Sequence, residues 1–265
     1  MPFAAGGITF TGTMGDVSAY RMRGVDRIVI RSKGGVSRQR IKSHPNYELT
    51  RRNNEEWKAC IMAGKSIRAA IYAIKHLSDH NFSGSLHGIC KSIQLQDELH
   101  EKGKRSVALS QGQYRLEGFG LNRTNSFESM MRHPLQFAVD RTAATAVVSL
   151  PDMLPGINLY NPYRQPLYRF ILMLGVVTDI VYDESRKLYQ PLAAVMPGPA
   201  IVRTVWAAVN EERPAQEITL AINGWQDVAG AGLLLSAGIE FGMPAANNMA
   251  QPVKYAGAAR LLKMQ

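Results

Sequence analysis

Hydrophobic positions along the chain follow three spacings, each pointing to a different element. Between residues 7 and 32, the runs GITFTG, DVSAYRMR and DRIVIRS are rich in β-forming residues and are separated by turn signals at Met14-Gly15 and Gly24-Val25. Alternation along the second run places Val17, Ala19, Arg21 and Arg23 on one face, with Ser18, Tyr20 and Met22 on the other. In the third run Arg27, Val29 and Arg31 share a face opposite Ile28 and Ile30, so one side of this ribbon is expected to carry four arginines.

Beyond Pro45 the spacing changes to three and four. Trp57, Ile61, Gly64, Ile67, Ile71 and Ile74 form one stripe of a long helix, with Arg51, Arg52, Lys58, Lys65, Arg68 and Lys75 mostly off it. A break at residues 78–85 leads to a second helix whose Leu86, Ile89, Cys90, Ile93 and Leu99 face inward, completing a helical hairpin. From about residue 112 the texture is that of short strands: QYRLEGFGL, FAVDRTAATAVVSL, YRFILMLGVVTDIVYD, PAIVRTVWAAVN, QEITLAI, AGLLLSAGIEFG and VKYAGAARLL, punctuated by Pro, Gly, Asn and Asp. About seven such segments without regularly alternating helices predict an antiparallel β-sandwich. The alanine-rich 192–210 also admits some helix. The expected fold is therefore α+β, with a basic β-ribbon and helical hairpin in 1–110 and the sandwich in 111–265, the boundary falling between 106 and 133.

Composition narrows the class. The chain has 265 residues, 46% of them hydrophobic, which is enough to fill a core and excludes wholesale disorder. Two cysteines are too few for a disulfide scaffold and fit a reducing compartment. The opening residues carry no Lys or Arg before position 21 and are broken by glycines, unlike a secretory signal. The apolar run 170–182 is interrupted by Thr178 and Asp179 and falls short of the ~20 residues a spanning helix needs. A soluble, cytoplasmic protein with no membrane insertion is expected. The net charge of +10 is uneven: residues 1–105 hold 18 Lys/Arg against 9 Asp/Glu, and the remainder 13 against 12.

The chemical candidates are weak beside this asymmetry. Ala59-Cys-Ile-Met-Ala-Gly64-Lys65-Ser66 fits a loose phosphate-loop pattern, and Asp183-Glu184 after Ile180-Val-Tyr resembles a Mg²⁺-holding run. However, the residues before Ala59 are polar and helix-like, and alanine replaces the turn glycine, so Lys65 and Ser66 are expected mid-helix. His76, His80, His87 and Cys90 have zinc-compatible types at a spacing that fits no standard module. Asp179, Asp183 and Glu184 read as a solvated strand end. No nucleophile motif selects a reaction, so neither catalytic residues nor cofactors nor metals are expected.

The stretch from Thr11 to Ala69 combines Gly12-x-x-Gly15-Asp16, Tyr20, Gly24, Arg31-x-Lys33-Gly34-Gly35, Arg51-x-Asn53 and Ala63-Gly64-Lys65. In these features, and in the closing VKYAGAARLLKM, the chain resembles a family of uncharacterised proteins common in Bacteroidota genomes. The resemblance covers about a third of the chain. The family has no established activity, so the resemblance implies no catalytic residue. It implies a β-ribbon and helical hairpin ahead of a β-sandwich, and a structural or phage-like role.

Between residues 21 and 58 the sequence holds 11 Lys/Arg against 4 Asp/Glu, alongside Tyr20, Tyr47 and Trp57. Arg21, Arg23, Arg27, Arg31, Lys33, Arg38, Arg40, Arg51 and Arg52 are the expected partner-binding residues. A structural subunit, self-associating or docking in a larger or filamentous complex, fits a basic ribbon too small to stand alone. Sequence-independent nucleic-acid binding is the alternative, with phosphates on the arginines and bases on the aromatics. A nucleotide hydrolase comes third.

Overall fold

The computed structural model of the chain describes residues 10–22, 25–32, 34–193, 197–246 and 249–265. Its backbone divides into two compact units, Met1–Arg52 and Asn53–Gln265.

The first unit holds an antiparallel ribbon of β1 (Gly12–Met14), β2 (Val17–Arg21) and β3 (Ile28–Ser32). Gly15 takes a positive φ of 56° in the two-residue turn that joins Met14 to Val17. Helix α1 (Arg38–Ser43) follows, its first turn capped by the Ser37 hydroxyl, which accepts from the Arg40 N–H at 3.3 Å. A turn of 3-10 helix, Pro45–Tyr47, leads into α2 (Glu48–Ala70).

The register of the ribbon overturns the expected four-arginine face. Arg21 lies opposite Ile28, and Arg31 opposite Ser18. Directly paired residues share a face, so Arg21 and Arg31 project to opposite sides. The connection 22–27 holds six residues, and an even count pairs odd positions of one strand with even positions of the next. Arg27 lies in the connection, and Arg23 lies outside the described residues.

The second unit continues α2 and adds α3 (Ser83–Gln94) and the single turn α4 (Phe127–Met130). Its strands are β4 (Gln136–Asp140), β5 (Thr145–Leu150), β6 (Leu167–Thr178), β7 (Ile180–Asp183), β8 (Leu188–Pro191), β9 (Ala200–Arg203), β10 (Ala207–Ala208), β11 (Gln216–Ala221), β12 (Ala231–Pro244) and β13 (Ala250–Met264). One antiparallel sheet runs β10-β6-β12-β13, with β9 also on β6; a second runs β11-β5-β4. A separate hairpin pairs β7 with β8.

Alternation along the strands builds two cores on the two faces of the larger sheet. Tyr168, Phe170, Leu172, Leu174 and Val176 of β6 join Ala146, Val148, Ile218 and Leu220 of the smaller sheet. This is the antiparallel sandwich. The intervening Ile171, Met173 and Val177 face the other way, against Cys60, Ala63, Ile67, Leu86 and Cys90 of α2 and α3. The layers are thus helices, sheet, sheet. The helical hairpin shares its core with the sandwich, within the unit Asn53–Gln265. Where α2 ends on the sheet, β6 carries Gly175, because a Cβ there would stand 2.3 Å from the Ala70 carbonyl oxygen.

Several local expectations are also corrected. Gly64, Ile67, Ile71 and Ile74 of the expected stripe are buried, but Trp57 is 42% exposed and Ile61 half-buried, and Glu56, Ala59, Cys60, Ala63 and Ala70 are buried with them. Leu99 lies beyond α3 and is 93% exposed. Residues 113–121 form a 3-10 turn and irregular chain rather than a strand, touching β13 by one bridge from Gly120 to Arg260. The described part of 192–210 holds β9 and β10 and no helix. No helix among the described residues is long and apolar enough to cross a membrane.

Candidate functional site

The most unusual surface belongs to Met1–Arg52. This stretch carries 10 Lys/Arg against 3 Asp/Glu, or +7 of the chain's +10. Its described residues include only two buried apolar side chains, Ala19 and Val29. The side chains of Arg21, Arg27, Arg31, Arg38, Arg40 and Lys42 are exposed, and no hydrogen bond or ion pair holds them among the described residues. Arg38 and Lys42, four apart on α1, share one side of that helix, while Arg40 projects from another.

Two of the expected binding residues are already engaged. The Arg51 guanidinium donates to the Ile41 carbonyl at 2.8 Å and the His44 carbonyl at 2.9 Å, satisfying backbone acceptors at the end of α1. Arg52 pairs with Glu48 one turn earlier at 2.6 Å. Lys33, like Arg23, lies outside the described residues. Arg51→Ala should free both carbonyls and raise amide exchange across residues 38–43. The melting transition of the second unit should stay within about 0.5 kcal/mol, as for a surface substitution. Hydrogen-exchange mass spectrometry beside thermal melting checks both halves of that expectation.

The phosphate-loop reading does not survive the geometry. Ala59 to Ser66 is continuous α-helix, so its amides are spent on the helix rather than freed for a phosphate. Lys65 is exposed, and the Ser66 hydroxyl accepts from the Thr178 N–H at 3.3 Å. Asp183 caps its own turn, accepting from the N–H groups of Ser185 at 2.9 Å and Arg186 at 3.1 Å. Glu184 pairs with Lys104 at 2.9 Å. Asp179 is buried rather than solvated, accepting from Ser110 N–H and hydroxyl at 2.8 and 2.7 Å, and burial holds its carboxyl above the usual range.

The histidines are dispersed. His76 meets Glu240 at 2.7 Å, His80 meets Asp79 at 2.8 Å, and His87 lies 3.2 Å from Arg68 and edge-on to Trp57. Burial pushes the Cys90 thiol up to about 12. Among the described residues no three potential ligands come together.

Two buried charge clusters escape a reading of the sequence. Glu56, fully buried on α2, accepts from Arg105 Nε at 2.6 Å and Nη2 at 2.8 Å, from Lys91 Nζ at 2.5 Å, and from the Gly103 N–H at 2.9 Å. Gln94 ties in the same elements, donating to the Glu56 carbonyl at 3.2 Å and the Arg105 carbonyl at 2.9 Å. The second cluster lies on the sheet. Glu240 of β12 stands opposite Arg169 of β6, accepts from its Nε at 2.7 Å, and also meets His76. Arg169 stacks 4.4 Å over the Trp206 ring. Both oxygens of Glu56 are saturated by internal donors, so this cluster fastens α2, α3 and residues 103–105 together and offers nothing to a substrate. Its sequence signal is faint: Glu56 lies one turn before Cys60, which the stripe expected through Trp57 and Ile61 leaves out.

Comparison of the chain with protein-family models, curated proteins and solved structures finds no match.

Proposed function

We propose that the protein is a non-enzymatic structural subunit of a larger assembly, with Asn53–Gln265 as its body and Met1–Arg52 as the part that docks on an acidic surface of a neighbour. The observation that carries this reading is the coincidence of charge and poor burial: +7 falls in a unit with two buried apolar side chains among its described residues. A three-stranded ribbon gains little stability without further burial, and unpaired guanidinium groups suit a complementary carboxylate surface. The likeness of residues 11–69 to the Bacteroidota family adds weight to a structural, phage-like role.

Replacing Arg21, Arg27, Arg31, Arg38 and Arg40 together by Ser should break the larger assembly down to its smallest unit in sedimentation velocity while thermal melting of the body is retained. Undiminished assembly in this variant would overturn docking through the basic unit. The same unpaired cations support a second reading, sequence-independent nucleic-acid binding. That reading requires co-purifying nucleic acid and an affinity falling with salt by a log–log slope of about 0.9 per phosphate contacted.

A further inference from the structure

The smaller sheet of the body ends on β4, and among the described residues nothing is hydrogen-bonded along the outer edge of that strand. The opposite edge of that sheet, β11, runs close beside β9. On the larger sheet, residues 118–121 cover part of the β13 edge, where Gly118 N–H and Leu121 N–H donate to the Leu261 and Ala259 carbonyls at 2.9 Å. The sandwich is therefore open on its β4 side.

A cavity of about 270 Å³ lies on that side, walled by Phe127, Met131, Leu135, Phe137, Arg260 and Leu262. Phe137 pairs with the buried Val148, so it points toward the space between the sheets, yet it remains 38% exposed. Open edges in monomers are usually blunted by Lys, Pro, a bulge or a covering loop. The strand Gln-Phe-Ala-Val-Asp has none of these. Its one charge, Asp140, already accepts from the Ala143 N–H at 3.0 Å. Paired with itself antiparallel about Ala138, the segment sets Phe137 opposite Val139 and the Gln136 amide opposite the Asp140 carboxylate. Both are favourable cross-strand pairs.

We propose that β4 pairs with β4 of a second copy about a two-fold axis through Ala138, so that two three-stranded sheets join into one and each copy covers the open side of the other. The contact is isologous, which makes the dimer the building block of the assembly proposed above and rests on that reading.

Ala138 is exposed and lies opposite Val147 on the sheet's outer face. Ala138→Lys or Ala138→Glu therefore disturbs no packing within one copy, but it sets like charges about 5 Å apart across the axis. The test uses the full chain carrying the five Arg→Ser replacements, which removes docking by the basic unit. Light scattering should give twice 29.3 kDa for this background and 29.3 kDa once A138K or A138E is added. An equimolar mixture of the two charged variants should recover the doubled mass. In addition, Ala138→Cys places its Cα atoms about 4.5–5.5 Å apart across the axis, within disulfide range. Cys60 and Cys90 are buried, so mild oxidation should yield a covalent dimer from A138C and none from Gln136→Cys, whose counterpart is Asp140. Unchanged mass in both charged variants would overturn the β4 pairing and leave the assembly reading standing. A wild-type chain of 29.3 kDa at every salt concentration would overturn both.

Discussion

Glu56→Gln is expected to destabilise the body by about 3–5 kcal/mol, the range for removing one member of a buried ion cluster. The substitution preserves volume, so the loss is electrostatic. Arg105 and Lys91 would face a neutral amide, and one donor pair would meet an amide NH₂ instead of a carboxylate oxygen. Burial alone would raise the Glu56 pKa, but hydrogen bonds from Arg105, Gly103 and Lys91 outweigh it and bring it from the ordinary 4.5 down to about 2. A carboxyl depressed in the folded state contributes stability that is fully present above the unfolded value and is lost as pH falls. The gap between wild type and E56Q should accordingly be full at pH 7 and narrow steadily between pH 4.5 and 2. Urea unfolding at several pH values measures it. A gap that stayed constant with pH would show that the carboxylate charge is not what fastens α2 to α3 and residues 103–105.

Gly175→Val should be nearly as damaging, at about 3 kcal/mol or more, for a steric reason. A Cβ at this position would lie 2.3 Å from the Ala70 carbonyl oxygen and 2.7 Å from the Ala70 Cα. The obstacle is backbone at the end of α2, which cannot swing aside as a side-chain tip does, so the helix must lift from the sheet. Lifting it would open the core shared by Ile67, Ile71, Met173 and Val177. Gly88→Ala on α3 is the control. Nothing lies within 4 Å of its added methyl, and replacing a helical glycine should stabilise by about 0.5–1 kcal/mol. Equal melting temperatures for Gly175→Val and wild type would refute the close helix–sheet contact.

The body of the sandwich was legible because alternation is written directly into β5 and β11, where every second residue enters the core. The helices are legible in the sequence but their packing on the second face of the larger sheet is not, although β6 carries the sign. An almost unbroken apolar run from Phe170 to Val177 is what a strand buried on both faces requires, and it was read only as a strand. The ribbon's strands could be read, but its arginine face could not. Face membership across two strands depends on the parity of the connecting loop as well as on alternation within each strand. Glu56 was hidden for another reason. A carboxylate beside Glu55 and Trp57 looks like helix surface until Arg105 and Lys91, distant in sequence, converge on it. At the candidate site the excess of cations was plain from composition, whereas the use of Arg51 on two carbonyls depends on a fold-back of seven and ten residues.

The mass of the nuclease-treated full chain, measured by light scattering at low and high salt with absorbance at 260 and 280 nm, tests the central claim most directly. A structural subunit docking through a basic unit predicts a nucleic-acid-free particle well above 29.3 kDa at low salt that becomes smaller as salt rises. A 29.3 kDa species at both salt concentrations, or a particle whose size depends on nucleic acid removed by the nuclease, would contradict it.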